Sequence, residues 1–311
     1  RNFTNKIWQA ARFVLMNTSA EDDADYQPPS ASMDLDLADR WILSRLNRLM
    51  ENVERLFGSH QYGEAGRQIN EFVWSEYCDW YIEASKVRLY DEGADSSVPL
   101  AVLLHVLETS LRLLHPYMPF VTEAIWQALP DEVKEGPALI VARWPESDAT
   151  LLDRDAEENM GLLMELIRGI RNRRAEYRVT PGKRIPAIIA SPDAYDVLSE
   201  QQDVLCSLAK LDPQRLTIER SVEAPEQVAT VIVGNTTCYL PLAEIVDLQE
   251  ERHRLSEELA DVEGRIAHSK ELLAGPFAER APEHVVQRER DKLRGRSLER
   301  AELERRLETL S

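Results

Sequence analysis

Apolar side chains recur at spacings of three and four along the first 150 residues, over 36–57, 65–90, 100–114 and 118–129, interrupted by Gly58, Gly63, Gly93, Pro116 and Pro119. That period belongs to helices that bury one face, with glycine and proline as punctuation. A helical bundle is predicted over 1–150. Between its first and second helices, Glu21, Asp22, Asp23, Asp25, Asp34, Asp36 and Asp39 surround Pro28 and Pro29, which reads as a surface loop.

The pattern changes after Trp144 and Pro145. A helix over about 156–178 precedes a strand at Ile185 to Ala190, a helix through Tyr195 to Leu211 and a strand at Leu216 to Glu219. Two β-rich runs, Val228 to Val233 and Thr236 to Leu240, flank Gly234-Asn235, a two-residue hairpin signal. A small α/β module is predicted over 151–245. From 246 the period becomes a heptad seam through Leu248, Leu255, Leu259, Val262, Ile266 and Leu273, then, after Gly275-Pro276-Phe277, through Val286, Leu293, Leu303, Leu307 and Leu310. Two seamed helices and one break predict an antiparallel coiled-coil hairpin over 246–311, with a first arm about 39 Å long at about 1.5 Å per residue. The fold class is therefore mainly α: a bundle, a small α/β linker module and a terminal arm.

The 311 residues leave room for two or three domains. Fifty-five acidic against 37 basic residues give a net charge of −18, which excludes a generally basic nucleic-acid coat. No apolar run approaches the roughly 18 to 20 residues of a membrane span, so membrane insertion is excluded. Cys78, Cys206 and Cys238 are far apart, with no C-x-x-C, which argues against disulfides and structural zinc and fits a reducing cytosol. The chain opens on Arg1 within an amphipathic stretch, as a piece of something longer would. No phosphate-binding glycine loop, nucleophile elbow or metalloprotease motif is present, and the six histidines form no repeating pattern. No catalytic residue is assigned.

The average charge conceals three basic stretches: 1–20 carry +3, 168–184 carry +6 and 288–296 carry +3. In the first helix, Phe3, Ile7, Trp8, Ala10, Ala11, Val14 and Leu15 fall on one broad face and Asn2, Asn5, Lys6, Gln9, Arg12 and Phe13 on the other. An aromatic ring on the polar face, two turns from a lysine, suits stacking on an unpaired base beside a phosphate; packing of Phe13 against a neighbouring helix is the competing explanation. Arg171, Arg174 and Arg178 share a stripe that could meet RNA backbone phosphates, or could be a solvated face. Arg288, Arg290, Lys292, Arg294 and Arg296 lie on the second arm. The aromatic run Phe72 to Tyr81 repeats Trp74, Tyr77, Cys78 and Tyr81 at three and four, the spacing of a core stripe.

Together these landmarks resemble a known family. Arg1-Asn2-Phe3 through Arg12-Phe13-Val14 is similar to the helix after the KMSKS signature in class I aminoacyl-tRNA synthetases of the valine, isoleucine and leucine group. Leu37 to Trp41, Phe72 to Tyr81 and Leu114-His115-Pro116-Tyr117-Met118-Pro119-Phe120 resemble successive landmarks of that group's anticodon-binding domain. Ile170-Arg171-Asn172 through Pro181-Gly182-Lys183 is similar to the helix and turn that follow. Leu272 to Phe277, Ala281 to Val286 and Glu289 to Leu293 resemble the terminal arm of valyl-tRNA synthetases. The resemblance implies the C-terminal half of such an enzyme, lacking its catalytic and editing domains and inactive alone as a valine–tRNA ligase. It implies tRNA(Val) as partner, with Lys6 and Phe13, flanked by Asn2 and Gln9, at the anticodon, and Lys292, Arg290 and Arg265 at the outer corner of the tRNA. Arg265 enters because Ala267 stands where the family carries a basic residue; His268 is the alternative. A cytoplasmic monomer is expected, with no DNA or membrane partner and no cofactor in this chain; ATP and Mg serve the parent enzyme's catalytic region. The alternatives are a related synthetase of the same group and a self-associating coiled-coil scaffold without RNA.

Overall fold

Helices in the first part form where apolar stripes can be shared. In the computed structural model, which describes residues 2–18, 26–91, 93–242, 248–275 and 282–309, α1 (Asn2–Asn17) buries Ile7, Ala10, Ala11 and Val14. α2 (Leu37–Gly58) buries a continuous face from Leu37 to Leu56. At its start the backbone N–H of Asp36 donates to the Asp39 carboxylate at 3.1 Å, satisfying one of the donors a helix start leaves open. α3 (Tyr62–Glu71) runs into a ten-residue π-helix, Phe72–Tyr81, which continues as α4 (Ile82–Leu89). α5 (Ser97–Leu114) and α6 (Pro119–Trp126) follow, the latter opened by a proline at its first turn, where no N–H is needed.

The chain divides into two compact units, Arg1–Glu165 with Glu200–Leu208 and Leu166–Ser199 with Ala209–Ser311. The first is an all-helical bundle with Trp41, Leu46, Tyr77, Tyr81, Leu103, Leu107 and Trp126 in its core. One sequence expectation needs correction here. Ser97–Leu114 is 18 residues long with a mean hydropathy of 1.4, enough by length and composition for a membrane span; 78% of it is buried inside the bundle, as in a core helix. The run was missed because Glu108 and Arg112 interrupt it, and those two pair with each other at 2.6 Å.

α7 (Arg154–Glu176) belongs to the first unit up to Glu165 and to the second from Leu166. Early in α7, Glu157 pairs with Arg48 at 2.5 Å. The second unit holds a four-stranded sheet of β1 (Ile185–Ala190), β2 (Leu211–Glu219), β3 (Val228–Val233) and β4 (Thr236–Pro241), in the order β2-β1-β4-β3. β1 pairs parallel with β2, and β4 pairs antiparallel with β1 and β3. Gly234 takes a φ of +55° in the β3–β4 turn, a conformation glycine adopts without penalty. β2 begins at Leu211, earlier than the alternation suggests, because Ile185 pairs with Leu211 and Ala187 with Leu216, so 212–215 bulge out of the ladder. The predicted helix over Tyr195 to Leu211 is two, α8 (Tyr195–Glu200) and α9 (Gln202–Ala209).

α10 (Leu248–Ala274) and α11 (Glu283–Thr309) pack as an antiparallel hairpin: Ser269 donates to Glu289 at 2.8 Å, and Arg296 donates to the Arg265 carbonyl at 3.2 Å. Leu255, Val262, Ile266, Val286 and Leu303 are buried along the seam. So is Ser269, a polar residue that the heptad count passed over; it takes its place by bonding Glu289 and Arg296. The acidic residues Glu21, Asp22, Asp23 and Asp25, the turn residues Pro276 and Phe277, and Leu310 lie outside the described residues.

Candidate nucleic-acid interface

The π-helix decides which aromatic side chains reach the surface. In an α-helix, residues five apart point about 140° away from each other; in a π-helix, residues i and i+5 are joined through the backbone and come to neighbouring positions one turn apart. Trp74 and Asp79 are such a pair. On the inner side the segment is pinned by Tyr77, whose hydroxyl donates to the Leu103 carbonyl at 2.9 Å, and by Tyr81, whose hydroxyl donates to Asp39 at 2.7 Å. The Arg45 guanidinium forks onto Glu76 with bonds of 2.8 and 2.9 Å, a rigid bidentate pairing. Arg88 also bonds Asp39. Burial nevertheless raises the Asp39 carboxyl above its usual range, against the lowering effect of Arg88 and Tyr81.

Trp74 is half-buried, while Tyr77 and Tyr81 are fully inside and Cys78 is buried. The expected core stripe therefore holds for three of its four members, and Trp74 departs from it, lying under Lys6 and beside Phe3. Lys6 of α1 lies between Trp74 and Asp79: its ammonium is 4.1 Å from the indole centroid and 2.5 Å from Asp79 Oδ1. The Phe3 ring is 6.4 Å from that of Trp74 at an interplanar angle of 19°, an offset stack.

Phe13, two turns further along α1, is half-buried. The Lys86 ammonium of α4 stands 5.3 Å from its ring centroid, within cation–π range, and Glu83 holds Lys86 at 2.6 Å. The ring thus meets a neighbouring helix through a lysine and keeps part of its surface exposed. Asn2 and Gln9 are exposed. Trp8, assigned by the helical wheel to the inner face, is 47% exposed. It sits at the edge of the buried stripe and, with Arg12, Leu15 and Met16, faces Ala124, Ile125 and Ala128 across a groove of about 270 Å³. Sequence reasoning missed Lys86 and Asp79, which read as ordinary charges on a helix; only their placement against Phe13 and Lys6 distinguishes them. Burial pushes the thiol of Cys78, beside this site, up to about 12.

In the second unit the arginine stripe is divided. Arg174 is only 7% exposed, and its guanidinium donates to the carbonyls of Lys183 at 2.8 Å, Lys210 at 3.2 Å and Thr180 at 3.3 Å. This corrects the expectation for Arg174: its donors hold the turn after α7, and no face remains for a phosphate. Arg171 and Arg178 are exposed, and Arg178 reaches Glu258 at 3.6 Å. On the helical hairpin Arg290 is exposed, Lys292 pairs with Glu289 at 3.0 Å, and Arg265 pairs with Asp261 at 2.6 Å. Ser269 and Lys292 hold the Glu289 carboxyl below its usual range.

Two family models match the chain: the anticodon-binding domain of tRNA ligase over 39–189 and the valyl tRNA synthetase tRNA binding arm over 247–311. A valine–tRNA ligase of Carboxydothermus hydrogenoformans is 40% identical over the whole chain. The chain belongs to the valine–tRNA ligase family. It spans about a third of the length of the curated relatives it matches: 35% of the Carboxydothermus protein, and 33% each of valine–tRNA ligases from Bacillus cereus and Dehalococcoides mccartyi. Those two are 39% and 42% identical over 94% and 95% of this chain. In this family frame, Trp74, Asp79 and Lys86 lie within the matched anticodon-binding segment, and Lys6 and Phe13 precede it.

Proposed function

We propose that this chain binds tRNA(Val) at two separated places, so that the catalytic region of the whole enzyme, using ATP and Mg, can attach valine. Residues 1–150 act as the anticodon-binding domain, 151–245 as a spacing module and 246–311 as a coiled-coil arm on the outer corner of the tRNA. At the anticodon end Phe13 stacks on an unpaired base, Lys6 meets a phosphate or base edge, and Asn2 and Gln9 flank them. Arg171 and Arg178 contact backbone phosphates, and Lys292, Arg290 and Arg265 grip the tRNA elbow. The observation that carries this reading is the pairing of a partly open aromatic ring with a cation on the face that α1 shares with the π-helix and α4, the combination that single-stranded base recognition uses. The fragment contributes binding energy and specificity to a cytoplasmic ligase acting as a monomer; two linked contact regions raise affinity beyond either alone.

The test is Phe13→Ala in the full 311-residue chain, with affinity for a tRNA(Val) transcript measured by fluorescence anisotropy. Losing one stacked base costs about 1 to 3 kcal/mol, or roughly five- to 150-fold in Kd. A tRNA with a different anticodon should bind more weakly to the wild type and respond less to the substitution. Unchanged affinity for tRNA(Val) removes Phe13 from the site.

A further inference from the structure

The face that carries Phe13 carries a second group built in the same way. Phe13 has Lys86 beside its ring and Glu83 holding that lysine; Trp74 has Lys6 over its ring and Asp79 holding that lysine. Each group joins α1 to the segment formed by the π-helix and α4, and each supplies one π-face, one ammonium and one carboxylate. Tryptophan is the strongest of the aromatic side chains in cation–π contact. Its indole here is half-buried, and its one aromatic neighbour among the described residues, Phe3, is stacked with an offset, so part of the ring surface is uncovered.

Lys6 and Phe13, which mark the two groups on α1, are seven residues apart, about 10 Å along a helix axis. Stacked neighbouring bases are about 3.4 Å apart, so the groups cannot serve two adjacent stacked bases. At that rise the interval corresponds to about three base steps along a stacked strand.

We propose that Trp74, with Lys6 and Asp79, forms a second base subsite that takes an unpaired nucleotide of the same RNA strand as Phe13, about three positions away. The inference rests on the RNA reading above and adds to it the ligand of a surface that the sequence assigned to the core. The indole supplies the stacking face. The Lys6 ammonium turns from the ring toward the phosphate or a base acceptor, and the Asp79 carboxylate accepts from a base N–H. The π-helix helps make the subsite, because its i→i+5 backbone bonding brings Trp74 and Asp79 nearer one another round the axis than an α-helix would, and Lys6 reaches both.

The experiment uses the full chain and a tRNA(Val) transcript assembled with a single abasic nucleotide at each anticodon-loop position in turn. Trp74→Ala should weaken binding of intact RNA about ten-fold. That loss should vanish for RNA lacking the base at one loop position, about three steps from the position whose removal cancels the Phe13→Ala loss. Trp74→Phe should retain most of the affinity. Trp74→Leu, which keeps an apolar contact with Phe3 but has no π-face, should lose as much as alanine and covers the case in which Trp74→Ala does not fold. A wild-type Kd for Trp74→Ala and Trp74→Leu alongside a weakened Phe13→Ala overturns the second subsite alone. So does a loss of equal size with every abasic RNA, the mark of a purely structural indole, or cancellation of both losses at one position. If Phe13→Ala also binds normally, the RNA reading of this face fails, and the second subsite with it.

Discussion

Gly169 stands in α7 where a sequence reader sees a weak point in a helix, since glycine there costs about 1 kcal/mol relative to alanine. The structure gives it a purpose. A β-carbon at Gly169 would lie 2.3 Å from Cγ1 of Val231 on β3 and 3.6 Å from its Cβ, whereas carbon atoms in contact prefer about 3.5 to 4.0 Å. Val231 is buried and β-branched, so rotation about χ1 relieves little. Gly169→Ala therefore forces more than about 1 Å of movement between helix and sheet. Overpacking of this kind costs about 1 to 3 kcal/mol, against a helix-propensity gain of about 1 kcal/mol, leaving about 1 kcal/mol of net destabilisation. In a Val231→Ala background the obstructing methyl is gone, and Gly169→Ala should become stabilising by up to about 1 kcal/mol. Urea unfolding followed by circular dichroism gives the four stabilities, with hydrogen exchange at the amides of Ile188 and Ile189 reporting on the unit that contains the sheet. A Gly169→Ala effect that agrees within about 0.5 kcal/mol in the two backgrounds would refute the contact.

Two further outcomes are expected. Lys292→Ala should weaken tRNA(Val) binding with little dependence on the anticodon and flatten the slope of log K against log salt by less than about 0.9, because Glu289 already offsets part of this charge; a loss that changes with the anticodon places Lys292 elsewhere. His105 is held down to about 4 by burial and by the nearby Arg112 charge. The unfolded chain therefore takes up that proton first as pH falls from about 6.5, and stability is lost between about 6.5 and 4. His105→Asn should make the fall in urea midpoint between pH 7 and 4.5 shallower than in the wild type. An unaltered fall refutes the assignment.

The elements were legible where local pattern alone decides them. Spacings of three and four located the bundle helices, and the alternation around Gly234-Asn235 located the β3–β4 hairpin, because burying one face imposes a period on the chain itself. The π-helix was not legible: Trp74, Tyr77, Cys78 and Tyr81 fit an α period equally well, and the choice falls to distant partners, Leu103, Asp39 and Arg45. Lys86 could not be chosen among many surface lysines and arginines without knowing that α4 passes beside Phe13. Arg174 shows the opposite failure. Its position on a basic stripe was correct, but a stripe says nothing about whether a turn folds back over the guanidinium, as Thr180 to Lys183 does. Half of the candidate anticodon site, Lys6 and Phe13, could be named from one helix; the other half exists only after the chain returns some seventy residues later.

The net charge of −18 takes a different meaning once the cations are placed. Lys6, Lys86, Arg178, Arg265 and Lys292 each lie within 4 Å of a carboxylate: Asp79, Glu83, Glu258, Asp261 and Glu289. The acidic excess is therefore not confined to surfaces remote from the proposed contacts; part of it is built into them. A phosphate approaching any one of these cations replaces an anion already present, so a single contact yields little net electrostatic gain, and at about 0.15 M salt the attraction is screened within roughly 8 Å. A duplex offering only phosphates gains little from such a surface. An RNA that also presents unpaired bases to Phe13 gains stacking energy that no carboxylate supplied beforehand. Pre-paired cations thus lower the affinity for nucleic acid in general more than the affinity for a folded RNA whose loop fits the aromatic face, and specificity is that difference.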